Sequence, residues 1–197
     1  LCFLFARTYH PAFRALAEMR LRLAAQKKRT IFNLLGPLLN PARPPRQLIG
    51  VYEPRLTTVF ADVLRQLGRE RAWIVHGLTE DGRGMDDISN CGVTTLAELS
   101  EGKATSALID CRWLGVPAAT LAELRGGDAV ENAQTLCGIL KGEIIGAKRD
   151  LAVVNAAGGF IVAGLVRDLQ DGIALAKEQI ENGAALAKLR AFQDFSN

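Results

Sequence analysis

The sequence predicts an α/β protein with a central, largely parallel sheet flanked by helices. Three observations carry that prediction. Two short apolar runs, residues 47–52 (QLIGVY) and 72–76 (AWIVH), bracket an amphipathic segment within about thirty residues. Strand, helix and strand in that order form a βαβ unit, whose strands are parallel because a crossover helix returns the chain in the same sense. The runs are apolar throughout instead of alternating, as expected of strands covered on both faces. After residue 124 the chain becomes helical in character, which supplies covering layers.

Residues 12–25 (AFRALAEMRLRLAA) follow Pro11 and are rich in helix formers, so they predict a first helix. The proline- and glycine-crowded IFNLLGPLLNPARPP that follows predicts a loop or turn held by its leucines. Pro54 opens the crossover helix: Leu56, Val59, Phe60, Val63, Leu64 and Leu67 fall at three- and four-residue spacing, and Gly68 stops it. A polar, glycine-rich loop covers 77–90, ahead of strand candidates at 93–99 and 104–111. Those two either pair as a hairpin around Glu101-Gly102 or run separately; periodicity is compatible with both. Asp128 with Glu131 predicts a capped helix to about Lys141. Asp150 is expected to cap an apolar helix whose Gly158 and Gly159 admit another backbone. Asp171 is expected to start a last helix, bent at Gly183 and ending near Phe192. The 197 residues are expected to form a single α/β domain.

Composition narrows the classes. With 49% hydrophobic and 23% charged residues, the chain has the balance of a globular protein. A formal charge of +3 is too small to argue for nucleic acid. The densest basic run, Gln26 to Arg29, reads as a solvated helix end. The four cysteines, Cys2, Cys91, Cys111 and Cys137, are scattered, and only two histidines are present, so a zinc site has no support. Unpaired cysteines fit a reducing compartment, and a cytoplasmic location is expected. The longest apolar stretch, 151–166, is interrupted by Asn155 and glycines and falls short of the roughly 20 residues that a membrane helix needs. The opening LCFLFA has neither an initiator methionine nor a signal pattern, so the chain is expected to be seen without its beginning.

Three sets of residues could carry chemistry. Asp86-Asp87, in GLTEDGRGMDDIS, follows the carboxyl end of a strand expected to be parallel, where α/β sheets place ligands. Neighbouring carboxylates suit magnesium, which takes oxygen ligands and completes its shell with water and substrate phosphates. Taken alone, such a pair more often marks a solvated turn, and Glu80-Asp81 is a second acidic pair in the same loop; composition does not choose between them. Arg14, Arg20 and Arg22 offer planar forks for a carboxylate, or simply a basic helix surface. His76 offers either an acid-base group or a satisfied histidine closing its strand.

Several strings, taken together, resemble the anthranilate phosphoribosyltransferases of tryptophan biosynthesis. They are FLFARTYHPAFR (3–14), RTIFNLLGPLLNPARP (29–44), VHG (75–77) with MDDIS (85–89), LRGGDAVENA (124–133) and VVNAAGGFIVAG (153–164). The resemblance implies the large α/β domain of the nucleoside phosphorylase and phosphoribosyltransferase fold, with the family's N-terminal helical domain absent from these residues. It implies transfer of the phosphoribosyl group from phosphoribosyl pyrophosphate (PRPP) to anthranilate, with magnesium as cofactor, in a homodimer when full length. Asp86 and Asp87 match the family's acidic magnesium pair, usually Asp-Glu, so the second ligand here is one methylene shorter. Arg20 matches the arginine that contacts anthranilate; Arg22 is the rival alignment, and the MR dipeptide favours Arg20. The family's GTGGD-type phosphate loop and KHGN segment are not in this sequence, so this chain is expected to be inactive alone. Alternatives within the fold are a transferase or phosphorylase acting on another amine or nucleobase, and a non-catalytic nucleic-acid-binding relative.

Overall fold

A computed structural model describes Tyr9, residues 16–26, Lys28 and residues 30–196. Its contacts divide the chain into two compact units, Leu1–Pro44 and Pro45–Asn197. In the first, helix α1 (Ala17–Ala25) is the described part of the helix expected over 12–25; residues 12–15 lie outside the described residues. The segment expected to be a loop folds into a 3-10 turn, Ile31–Asn33, and a four-residue helix α2, Leu35–Leu38. The turn is closed by Asn33, whose Oδ1 accepts the Thr30 N–H at 2.9 Å.

The second unit begins with the expected βαβ. Strand β1 (Arg46–Gly50) leads through helix α3 (Arg55–Gln66) to β2 (Arg71–Leu78), and the strands pair in parallel with Ile49 opposite Ile74. Leu56, Phe60 and Leu64 of α3 are buried, at the spacing that places them on one face. Val59 and Leu67 are half exposed, so the apolar stripe is narrower than the spacing suggested.

The sheet is mixed, which corrects the expectation of a largely parallel one. β3 (Gly84–Met85), β4 (Val93–Ser100) and β5 (Lys103–Asp110) all pair antiparallel to their neighbours, in the order β1-β2-β4-β5 with β3 on β2. The reason lies in the connections. Parallel neighbours need a crossover long enough to bring the chain back, and after β2 no helix intervenes before β4. Between β4 and β5 the chain turns in two residues, Glu101 (φ 50°) and Gly102 (φ 74°), the positive pair that matches strand twist in a hairpin. The hairpin alternative is therefore the one adopted.

Helix α4 (Leu121–Leu124) precedes α5 (Ala129–Leu140), which starts at the expected capping box: Asp128 Oδ1 accepts the Val130 and Glu131 N–H groups at 2.8 and 2.9 Å. Helix α6 (Ala147–Ala163) is capped by Gly146 and not by Asp150, which sits buried inside the first turn. A carboxylate is favourable in either place beside the positive helix end, so the signal was displaced by about one turn. Likewise α7 (Leu169–Glu181) is capped by Asp168, whose carboxylate accepts the Asp171 N–H. Gly183 (φ 76°) separates α7 from α8 (Ala184–Ser196), so the expected bend is a break. One core forms where Val153, Val154, Ala157 and Ile161 of α6 and Ile173 and Ala176 of α7 meet Trp73, Val75, Leu96 and Ile109 of the sheet. Gly158 admits the Ile88 side chain, whereas Gly159 faces open space. Among the described residues, no helix is long and apolar enough to cross a membrane.

Candidate functional site

The segment from Thr79 to Gly92 joins β2 to β4 and carries both acidic pairs. It is folded back on the carboxyl ends of the parallel strands. A Cβ on Gly50, at the end of β1, would lie 1.6 Å from the Asp86 carbonyl oxygen. A Cβ on Gly77, near the end of β2, would lie 2.6 Å from the Asp87 carbonyl oxygen. Both acidic residues therefore have their main chain seated on the strand termini that open α/β sheets offer to ligands.

Three buried polar side chains and one half-buried one hold the rest of the segment. The Ser89 hydroxyl donates to the Leu78 carbonyl at 2.6 Å and accepts the Cys91 N–H at 2.9 Å. The Thr94 hydroxyl accepts the Ser89 N–H at 2.9 Å. Asn90 donates to the Ala147 carbonyl at 3.1 Å. Asn155, from α6, accepts the Ile88 N–H at 2.9 Å and donates to the Ile88 carbonyl at 3.0 Å. None of these four side chains was picked out from the sequence as part of a site. The available signal was polarity in apolar surroundings, since a buried polar group must find partners.

The two acidic pairs differ in what they touch. Glu80 accepts the Leu121 N–H at 3.0 Å and so caps α4. Asp81 accepts hydrogen bonds from Arg83, at 2.8 Å, and from the Thr79 hydroxyl, which hold its carboxyl well below the usual carboxylate range. Asp86 and Asp87 make no hydrogen bond or ion pair among the described residues. Asp86 is exposed and Asp87 half-buried. Burial, and then the neighbouring Asp86 charge, raise the Asp87 carboxyl above its ordinary value. Two adjacent carboxylates, one of them raised by burial, with no ion-pair partner among the described residues are short of positive charge, and an oxygen-seeking divalent ion would supply it. Among the described residues, no group of three or more His, Cys, Asp or Glu could hold a metal by itself. Two carboxylates with the remaining positions left to water and substrate are the fit for magnesium.

His76 is buried, and its Nδ1–H donates to the Val51 carbonyl at 2.8 Å. It is the satisfied histidine, tying β2 to the end of β1. Arg20 lies on α1, its side chain outside the described part of the structure, and Arg14 and Arg29 lie outside the described residues. The Arg22 guanidinium is exposed and pairs with Glu18 at 2.6 Å, one helical turn away. A separate open cavity lies at the start of α5, lined by Arg125, Glu131, Gln134, Thr135, Ile144 and Lys148.

Comparison with known proteins agrees with this architecture. The profile of the glycosyl transferase family, a/b domain, matches residues 1–186. The chain belongs to this family. It is 45% identical over 188 residues to an anthranilate phosphoribosyltransferase of Rhodopseudomonas palustris (strain TIE-1), covering 95% of this chain and 53% of that protein. Among solved structures it resembles the anthranilate phosphoribosyltransferase of Thermus thermophilus, with a TM-score of 0.86 and 36% identity over 98% of this chain and 55% of that one. It also resembles the Saccharomyces cerevisiae enzyme in complex with PRPP and Mg, with a TM-score of 0.81 and 26% identity over 94% of this chain and 51% of that one. The chain thus spans about half the length of the curated relatives it matches.

Proposed function

We propose that this chain is the metal-binding half of a cytoplasmic anthranilate phosphoribosyltransferase of tryptophan biosynthesis. The observation that carries the reading is the Asp86-Asp87 pair, seated on the ends of β1 and β2 with neither carboxylate engaged among the described residues. The relatives named above support the choice of substrates, because one was solved with PRPP and Mg.

In the reaction the anthranilate nitrogen forms a bond to the anomeric carbon of PRPP. The bond from that carbon to the diphosphate oxygen breaks, its electron pair leaves with pyrophosphate, and the amine proton passes to solvent. Magnesium would neutralise charge on the departing diphosphate. Asp86 and Asp87 would hold it, with their separation limited by a main chain that cannot move towards β1 or β2. The shorter Asp87 keeps the charge of the usual glutamate, and its seat on Gly77 brings its main chain close to the sheet end. Arg20 would pair its guanidinium with the anthranilate carboxylate and orient the amine; such orientation is a large part of what a transferase with little proton chemistry contributes.

The test uses the protein as its gene encodes it, with PRPP and magnesium, following the loss of anthranilate fluorescence. Asp86→Ala with Asp87→Ala is expected to lower turnover by roughly 100-fold or more, the loss of a metal's charge stabilisation. Undiminished activity in that variant sinks the metal assignment. Arg20→Ala is expected to raise the KM for anthranilate roughly tenfold more than that for PRPP, the scale of one charge-assisted contact. Equal effects on both argue against its role as carboxylate reader.

A further inference from the structure

We propose that Asn155 is a positioning residue for the acidic pair, setting the metal affinity of ligands it does not itself touch. The proposal rests on the reading of Asp86-Asp87 as a metal site. Asn155 belongs to α6, yet its carboxamide treats Ile88 as a neighbouring strand would. Its Oδ1 accepts the Ile88 N–H at 2.9 Å, and its Nδ2 donates to the Ile88 carbonyl at 3.0 Å and to the Leu151 carbonyl at 3.0 Å. The carboxamide thus spends one acceptor and both donors on main chain, a pattern no other side chain of that length reproduces. Three residues along α6, on the same face, Gly158 receives the Ile88 side chain so closely that a Cβ would lie 2.6 Å from Ile88 Cδ1.

Helix α6 therefore holds both main chain and side chain of the residue immediately after Asp87. Gly50 and Gly77 hold the two carbonyls before it. These three contacts fix the peptide planes on either side of Asp87, and with them the direction in which its carboxylate leaves the chain. Metal ligands need placement within about 0.5 Å, so freeing the Ile88 end lets the pair drift and weakens binding. Losing Asn155 also leaves a part-buried N–H and carbonyl unsatisfied, which pushes the segment to rearrange towards water.

The experiment measures two quantities in the whole protein: hydrogen exchange of the segment 85–90, and the Kd for Mn²⁺ as a magnesium probe. Asn155→Ala is expected to speed exchange in 85–90 by roughly tenfold or more, leave the β4–β5 hairpin unchanged, and raise the Mn²⁺ Kd by roughly fivefold or more. Leu64→Ala, which opens the far side of the sheet at a fully buried side chain, is the control for simple destabilisation; it lowers Tm as much or more with the Mn²⁺ Kd unchanged. Equal Kd shifts in the two variants, or unchanged exchange in 85–90, overturn the proposal. Should Asn155→Ala not fold, Asn155→Asp decides on exchange alone. It keeps the acceptor for the Ile88 N–H and loses both donated bonds, so a smaller rise confined to 85–90 is expected, and no rise overturns the proposal. Asp86→Ala with Asp87→Ala separates the two readings: Mn²⁺ bound as tightly as in the unaltered protein removes the metal site, while the exchange result still judges Asn155.

Discussion

Glu80-Asp81 and Asp86-Asp87 stand six residues apart in one connecting segment, and as residue types they are nearly interchangeable. The first pair is consumed by the fold: Glu80 closes the start of α4, and Asp81 is gripped by Arg83 and Thr79. The second pair is held by its main chain, and its carboxylates have no partner among the described residues. Burial acts on the two in opposite balance. Hydrogen bonds outweigh it at Asp81 and lower that carboxyl, whereas at Asp87 nothing offsets it and the carboxyl rises. Acidity in a loop thus does not separate the two pairs; on the reading proposed for Asp86 and Asp87, a ligand is marked by a fixed backbone carrying a side chain with no partner among the described residues.

The strongest way to break this contrast is Gly50→Ala. The added Cβ has no room beside the Asp86 carbonyl, so the loop or β1 must move. A loss of about 3 kcal/mol is expected, the upper end for overpacking, seen as a lower urea midpoint together with weakened Mn²⁺ binding. Next in size is an exchange of roles. Glu80→Gln with Asp81→Asn should lower Tm by about 2–4 °C and leave the Mn²⁺ Kd unchanged, while Asp86→Asn with Asp87→Asn should abolish binding without lowering Tm. A smaller effect sharpens the electrostatic side. In metal-free protein Asp87→Asn should raise Tm at neutral pH by about 2 °C, because an ionised half-buried carboxylate is removed. The sign follows from linkage: a carboxyl raised on folding penalises the folded state when ionised, and the penalty shrinks as pH falls through its folded value and is gone below its unfolded one. The advantage of Asp87→Asn must therefore disappear on acidification, as thermal melts across pH would show. Smallest is Asp110, which behaves like the first pair: hydrogen bonds from Arg112 lower it to about 2. Asp110→Asn should lower Tm slightly at neutral pH, and the gap should close as pH falls towards that value.

Local features of this fold were legible in the residues. The apolar runs and the three- and four-residue spacing placed β1, α3 and β2, and Asp128 with Glu131 marked the start of α5. Strand direction was not legible for β4 and β5, because an apolar run reads the same in either sense and direction is set by the connection. Helix starts at Gly146 and Asp168 were displaced to Asp150 and Asp171, since an aspartate in the first turn and one at the cap satisfy the same helix end. At the site, Asp86 and Asp87 were visible as chemistry, but their freedom was not. That depends on Glu80 finding residue 121, and on residue 155 finding residue 88, pairings that no window of sequence contains.

Those pairings also bear on the order in which the molecule assembles. Ile88 and Asn155 are separated by 67 positions, and Asn90 and Ala147 by 57. The hairpin of β4 and β5, by contrast, closes over a two-residue turn. Contacts that enclose long loops form only after the entropy of closure has been met by others. The sheet can therefore take shape while the acidic segment is still unanchored, and the segment is clamped only when α6 docks. A nascent chain would have to extend past residue 155 before Asp86 and Asp87 stood in their final places, so the proposed metal site would be completed only late in folding.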